Sequence, residues 1–160
     1  MQIVLESKNL DVLEHGLRAM QALSTFLPAA RAMACSSEFF VHIAELIRTG
    51  NIQVQQTSAS LLTSLSPKEE IRRSMAECMP SLIKMLELPK PVSAQEIAAE
   101  ALACLLSARP NRIEFSRDLK SMTKLVQMLD PRREEICKKF PVSVVLALAA
   151  RRQRCRKRLT

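Results

Sequence analysis

This chain matches itself at a spacing of about 42 residues. Four stretches share one pattern: "IVLESKNLDVLEHGLRAMQALS" (3–24), "ELIRTGNIQVQQTSASLLTSLS" (45–66), "LIKMLELPKPVSAQEIAAEALACLL" (82–106) and "LVQMLDPRREEICKKFPVSVVLALA" (125–149). Each has an aliphatic helix end, a polar break, and a longer helix closing on a Leu-rich turn. The helix-end residues Leu5, Ile47, Leu86 and Leu129 stand 42, 39 and 43 residues apart. The late-helix residues Leu23, Leu65, Leu105 and Leu148 stand 42, 40 and 43 apart. Two independent markers hold one period, so the chain repeats a structural unit. A unit of this size cannot bury its own apolar stripe and must stack on a neighbour.

Between these stretches lie shorter runs with apolar residues at helical spacing, such as Ile71 with Met75, and Ile113. Breaks precede them at Pro28, "SPKEE" (66–70) and "ARPN" (108–111). Ser66 reads as an N-cap, followed by Pro67 at the first helical position and by Glu69 and Glu70 on the positive end of the helix dipole. Trp and Tyr are absent and only two Gly occur, which leaves little material for strands and tight hairpins. The prediction is all-α, each unit a short, a medium and a long helix. The units run approximately 1–24, 25–66, 67–106 and 107–150, forming a single array over 1–150 with a basic tail at 151–160.

Three helices in about 42 residues is the spacing of armadillo and HEAT repeats, ~40–47 residues each. The armadillo signature has the form V-x-L-L-x-S-x-N/D-x-x-V-x-x-x-A-x-x-A-L-x-N-L-S. The first unit resembles it through Val4, Leu5, Ser7, Asn9, Val12, Ala19, Met20, Leu23 and Ser24. The second does so through Leu46, Ile47, Asn51, Val54, Ala59, Leu62, Leu65 and Ser66. The third keeps Met85, Leu86, Ala94, Ala101, Leu102 and Leu105, and the degraded fourth keeps Met128, Leu129, Phe140, Val145 and Leu148. The chain resembles the armadillo family over nearly its whole length, in flavour most like plant armadillo proteins, including those that accompany U-box ubiquitin ligases. The resemblance implies a right-handed superhelical solenoid of three to four repeats, its long helices lining a concave face. Substrate recognition for ubiquitin ligation is a further implication, although no U-box is recognisable in these residues. Nuclear-import adaptors of the family set Asn and Trp along those helices. Here the Asn positions carry Ala22, Ser64 and Cys104 and Trp is absent, so the resemblance does not extend to that peptide ladder.

The net charge of +8 sits at one end. Residues 1–130 balance fourteen basic against fourteen acidic side chains, and the last thirty hold ten against two. The tail residues Arg151, Arg152, Arg154, Arg156, Lys157 and Arg158 form a basic run that offers binding to nucleic acid or an anionic membrane as an alternative function. Its "CRKRL" lines up with "IRRSM" (71–75), so the preferred reading of the tail is the cut-off start of a further repeat. Both ends look incomplete and uncapped, which predicts a segment of a longer array or a truncated gene product, whose exposed apolar edges invite self-association or a partner.

Cys35, Cys78, Cys104, Cys137 and Cys155 are scattered and odd in number, which predicts small buried hydrophobes in a reducing compartment rather than disulfides or a zinc site. No leader-like or membrane-length apolar run occurs, so the expected location is intracellular, cytoplasmic or nuclear, and not secreted. His15 and His42 are the only histidines, and a Cys35–His42 couple is the one arrangement resembling a nucleophile with its base. Gly16 and Gly50 stand alone, so there is no phosphate loop, and the adjacent Glu69–Glu70 and Glu134–Glu135 pairs suit helix starts better than acid–base work. Met20, Met75, Met79, Met85, Met122 and Met128 share helical periodicity with Leu, which predicts core filling over an adaptable binding surface.

No enzyme, cofactor, metal site or small-molecule substrate is expected. The expected function is a non-catalytic scaffold or adaptor that holds a protein partner along the long helices. Helical spacing places Glu14, Arg18 and Gln21, then Gln56, Ser60 and Thr63, then Glu96 and Glu100 on one face.

Overall fold

A computed structural model describes residues 5, 7–26, 28–29, 32, 38–67, 69–87, 90–134 and 137–149. The tail arginines and Lys157, Cys35, Cys155 and the opening Val4 lie outside the described residues. Among those described there is no strand. The helices are α1 (Leu10–Leu23), α2 (Phe39–Thr49), α3 (Ile52–Leu65), α4 (Glu69–Ser74), a 3-10 turn (Ala76–Cys78), α5 (Met79–Met85), α6 (Val92–Leu106), α7 (Arg109–Arg117), α8 (Leu119–Met128) and α9 (Lys139–Ala149).

Local chemistry sets these boundaries. The Asn9 side chain accepts from the amides of Asp11 and Val12 (2.9 and 3.4 Å), and Asn51 accepts from Val54 (2.8 Å). Each satisfies amides that the first helical turn leaves without partners. Asp118 opens α8 in the same way, accepting from the Lys120 amide at 3.1 Å. Pro80 and Pro110 lie at the starts of α5 and α7, where a missing N–H costs nothing. Gly50 separates α2 from α3 for a spatial reason. A Cβ there would lie 2.6 Å from the Leu46 carbonyl oxygen and 2.7 Å from Val54 Cγ1.

Packing follows the sequence period. Each long helix lies against the next, α1 on α3, α3 on α6, α6 on α9. The medium helices α2, α5 and α8 also pack in succession, and α2 and α5 each pair with the long helix that follows. One continuous core results, with Leu17, Ile43, Leu61, Leu62, Leu82, Leu102 and Leu125 fully enclosed. Full burial of each such side chain is worth about 1.5–3 kcal/mol relative to exposure. Small residues let the middle helices approach closely: Ala59, Ala94, Ala98 and Ala101 have no exposed surface. The methionines behave as gap fillers, with Met20, Met75, Met79, Met85 and Met128 buried and Met122 packed against the core.

Several expectations need correction. Ser66 is not an N-cap; it closes α3, its hydroxyl donating back to the Thr63 carbonyl at 2.7 Å. Ile113 does not anchor its helix and is 42% exposed. Asn111 and Phe115 are the buried residues of α7. Asn111 stands where Ile71 stands in α4, and its amide donates to the carbonyls of Arg72 (2.6 Å) and Leu105 (3.1 Å). A polar residue tolerates that burial because two backbone acceptors meet it. Of the three described cysteines, Cys78 is buried, Cys104 partly open and Cys137 exposed, all free thiols. The fourth long helix starts late, at Lys139, with Pro141 in its first turn.

Candidate interaction face

The predicted face residues lie on α1, α3 and α6, and side chains cross between these helices on that side. Gln21 Nε2 donates to Ser64 Oγ at 3.4 Å, joining α1 to α3. Gln56 Nε2 donates to Ser93 Oγ at 2.9 Å, joining α3 to α6. Lys139 Nζ lies 3.5 Å from Glu96, joining α9 to α6. Each contact pairs like ends, C-terminal with C-terminal or N-terminal with N-terminal, so successive long helices run parallel. The residues at helical spacing around them, Ser60 and Thr63 on α3 and Glu100 on α6, share the stripe.

The stripe is polar and mostly uncharged at its centre. Glu14 and Arg18 neutralise each other at 2.7 Å, a partly exposed pair worth about 1 kcal/mol or less. Ser64 Oγ donates to the Ser60 carbonyl (3.1 Å), the back-bonding expected of a hydroxyl within a helix. The Thr63 hydroxyl oxygen is enclosed and has no hydrogen-bond partner among the described residues. On α6, Glu96 shares its charge with Lys139, whereas Glu100 is exposed and forms no ion pair among the described residues. The stripe therefore carries the Glu100 charge on α6 and the Gln56 amide with the Ser60 and Ser64 hydroxyls on α3. It can hydrogen-bond a backbone and attract a cationic side chain.

Ser64, Ser93 and Lys139 complete the cross-helix contacts and were not among the expected face residues. Ser64 occupies a signature Asn position, which was a usable signal; Ser93 and Lys139 sit at helix starts, where periodicity says little. Two buried glutamines were also missed. Gln55 Oε1 accepts from Lys90 Nζ (2.8 Å) and Gln95 Nε2 donates to the Lys90 carbonyl (3.2 Å), tying the start of α6 to α3.

Elsewhere the reactive side chains are engaged locally. His15 Nδ1 bonds the Asp11 carbonyl (2.7 Å) and His42 Nδ1 the Glu38 carbonyl (2.8 Å), each within its own helix neighbourhood. Cys35, the other half of the expected Cys35–His42 couple, lies outside the described residues. Among the described residues no three His, Cys, Asp or Glu side chains gather as metal ligands, and no helix is long and apolar enough to cross a membrane. The crevice between Met79, Pro80 and Phe115 has a volume of about 90 Å³, and a wider open depression of about 630 Å³ runs along α7 beside Arg109, Pro110, Ile113 and Arg117.

No family model matches this sequence, and no curated protein matches it. Among solved structures it is similar to an engineered protein whose crystal structure was solved by the Northeast Structural Genomics Consortium, with a TM-score of 0.73 and 20% sequence identity. The likeness covers 91% of this chain and 60% of that one, so this chain spans less than two thirds of the engineered protein's length. At that identity the likeness speaks for the helical fold.

Proposed function

We propose that this chain is an armadillo-type protein-interaction module, a right-handed superhelical array without catalytic chemistry. A polar or basic partner segment lies across its long helices. One observation carries this reading: the unbroken polar stripe from Gln21 and Ser64 through Gln56 and Ser93 to Glu96 and Lys139, set on a row of parallel helices. A stacked row presents one continuous surface rather than a cleft, and such surfaces recognise extended partners.

The test is a displayed-peptide selection against the full chain, followed by titration of the selected peptides. Enrichment of Lys- or Arg-bearing sequences is expected. The double charge reversal Glu96→Lys with Glu100→Lys is expected to raise Kd about tenfold or more, 1.4 kcal/mol for each factor of ten. Reversal of Glu69 and Glu70, on α4, is expected to leave Kd unchanged. Equal loss from both reversals, or selection of acidic peptides, contradicts the proposal.

A further inference from the structure

Three backbone carbonyl oxygens converge where α8 ends. Those of Met128, Asp130 and Arg133 lie 3.1, 2.5 and 2.7 Å from Lys138 Nζ. An ammonium has three N–H donors, and here each finds a carbonyl. The Met128 carbonyl belongs to the last turn of α8, where the helix dipole presents partial negative charge and leaves acceptors unfilled. The turn holding the other two carbonyls is fixed independently: the Asp130 carboxylate accepts from the Arg132 amide (2.9 Å), and the Arg133 amide donates to the Asp130 carbonyl (3.1 Å). The acceptors are thus oriented by local backbone contacts as well as by the lysine.

We propose that these three carbonyls form a monovalent-cation site of the ammonium class, occupied by the chain's own Lys138. A neutral side chain there takes one donor from each of the three carbonyls, and a small ammonium ion from solution replaces the lost group. The lysine also acts as a positioning residue. Its own carbonyl accepts from the Val142 amide in the first turn of α9 (3.1 Å), and its neighbour Lys139 reaches Glu96 on α6. The site therefore sets where α9 begins relative to α8. This inference stands whether or not the long-helix face binds a partner.

The experiment compares Lys138→Ala with Lys138→Met in the full chain. Both variants are expected to lower Tm by roughly 4 °C or more. Ammonium or methylammonium chloride is expected to restore Tm of the alanine variant with a saturable dose response. Tetramethylammonium and sodium chloride at equal ionic strength are expected not to, and the methionine variant, whose stem fills the site, is expected to gain little from any salt. An unchanged Tm in both variants overturns the proposal, as does an equal response to all four salts or none to ammonium. If neither variant folds, reductive methylation of the wild-type chain decides by mass spectrometry. Lys138 is expected to react at least about tenfold more slowly than exposed Lys120, because its three N–H groups are occupied. Equal rates overturn the proposal.

Discussion

Arg72 and Arg112 occupy the same place in successive units and make the same contact. Arg72 Nη1 donates to the carbonyls of Ser66 and Pro67 at 2.8 and 3.3 Å, and Arg112 Nη1 to those of Leu106 and Ser107 at 2.6 and 2.8 Å. Each guanidinium closes the C-terminus of the preceding long helix, where carbonyls lack intrahelical partners and cations are favoured. The clasp thereby fixes the angle at which the chain leaves one unit and enters the next. Arg112→Met keeps the aliphatic stem but removes the donors, and is expected to cost about 1.5–3 kcal/mol. Urea midpoints of the variant and the wild type measure this. Equal midpoints would mean that the clasp contributes nothing.

The hinge between α2 and α3 is equally specific. Gly50→Ala puts a methyl group against a backbone oxygen that accepts from Gly50's own amide at 2.9 Å, so neither side can yield cheaply. A loss of about 1–3 kcal/mol is expected. Asn51→Ala next to it removes a helix cap and is expected to cost about 1 kcal/mol. Thermal unfolding of the two single variants separates crowding from capping.

Asp118 links stability to pH. The hydrogen bond from Ser121 Oγ at 2.6 Å holds its carboxyl below the usual aspartate value; partial burial opposes this, and the Lys120 amide assists. A depressed folded pKa contributes stability above the unfolded value, about 3.9, and the contribution is lost as pH falls through the lower folded value. Asp118→Asn is therefore expected to flatten the acid limb of stability below about pH 4. Chemical denaturation between neutral and strongly acidic pH is the measurement, and an unchanged slope contradicts this role.

Cys78 should be chemically silent. Burial pushes its thiol up to about 12, with Glu77 adding to the effect, and Sγ lies 3.4 Å from the Phe40 carbonyl oxygen. The thiolate is the reactive form, so alkylation at neutral pH is expected at exposed Cys137 first, then at Cys104, and at Cys78 only after unfolding. Peptide mapping after brief iodoacetamide treatment reads the order. Early labelling of Cys78 would mean that the core opens readily.

These examples mark what the sequence carries and what it does not. Periodicity reports which side of a helix is buried, and Leu65, Leu105, Ile47 and Leu86 fall at helix ends with their side chains enclosed. Asn9 and Asn51 cap because the cap bond is local. Ser66 was misread for the same reason: a hydroxyl between two helices can serve either one, and only the folded backbone decides. Destinations of long side chains were illegible. The Arg72, Arg112 and Lys138 clasps depend on where carbonyls point after the chain turns. On the face, helical spacing grouped Gln21, Gln56 and Glu96, while their partners Ser64, Ser93 and Lys139 come from neighbouring helices whose register is a tertiary property.

The central claim is that recognition occurs on the long-helix stripe. It is tested most directly by titrating a selected peptide into the isotopically labelled full chain and following backbone amide resonances. The account predicts shifts concentrated at Gln21, Gln56, Ser60, Thr63, Glu96 and Glu100, persisting when residues 151–160 are deleted. Shifts confined to the basic C-terminal residues, abolished by that deletion and by moderate salt, would contradict it.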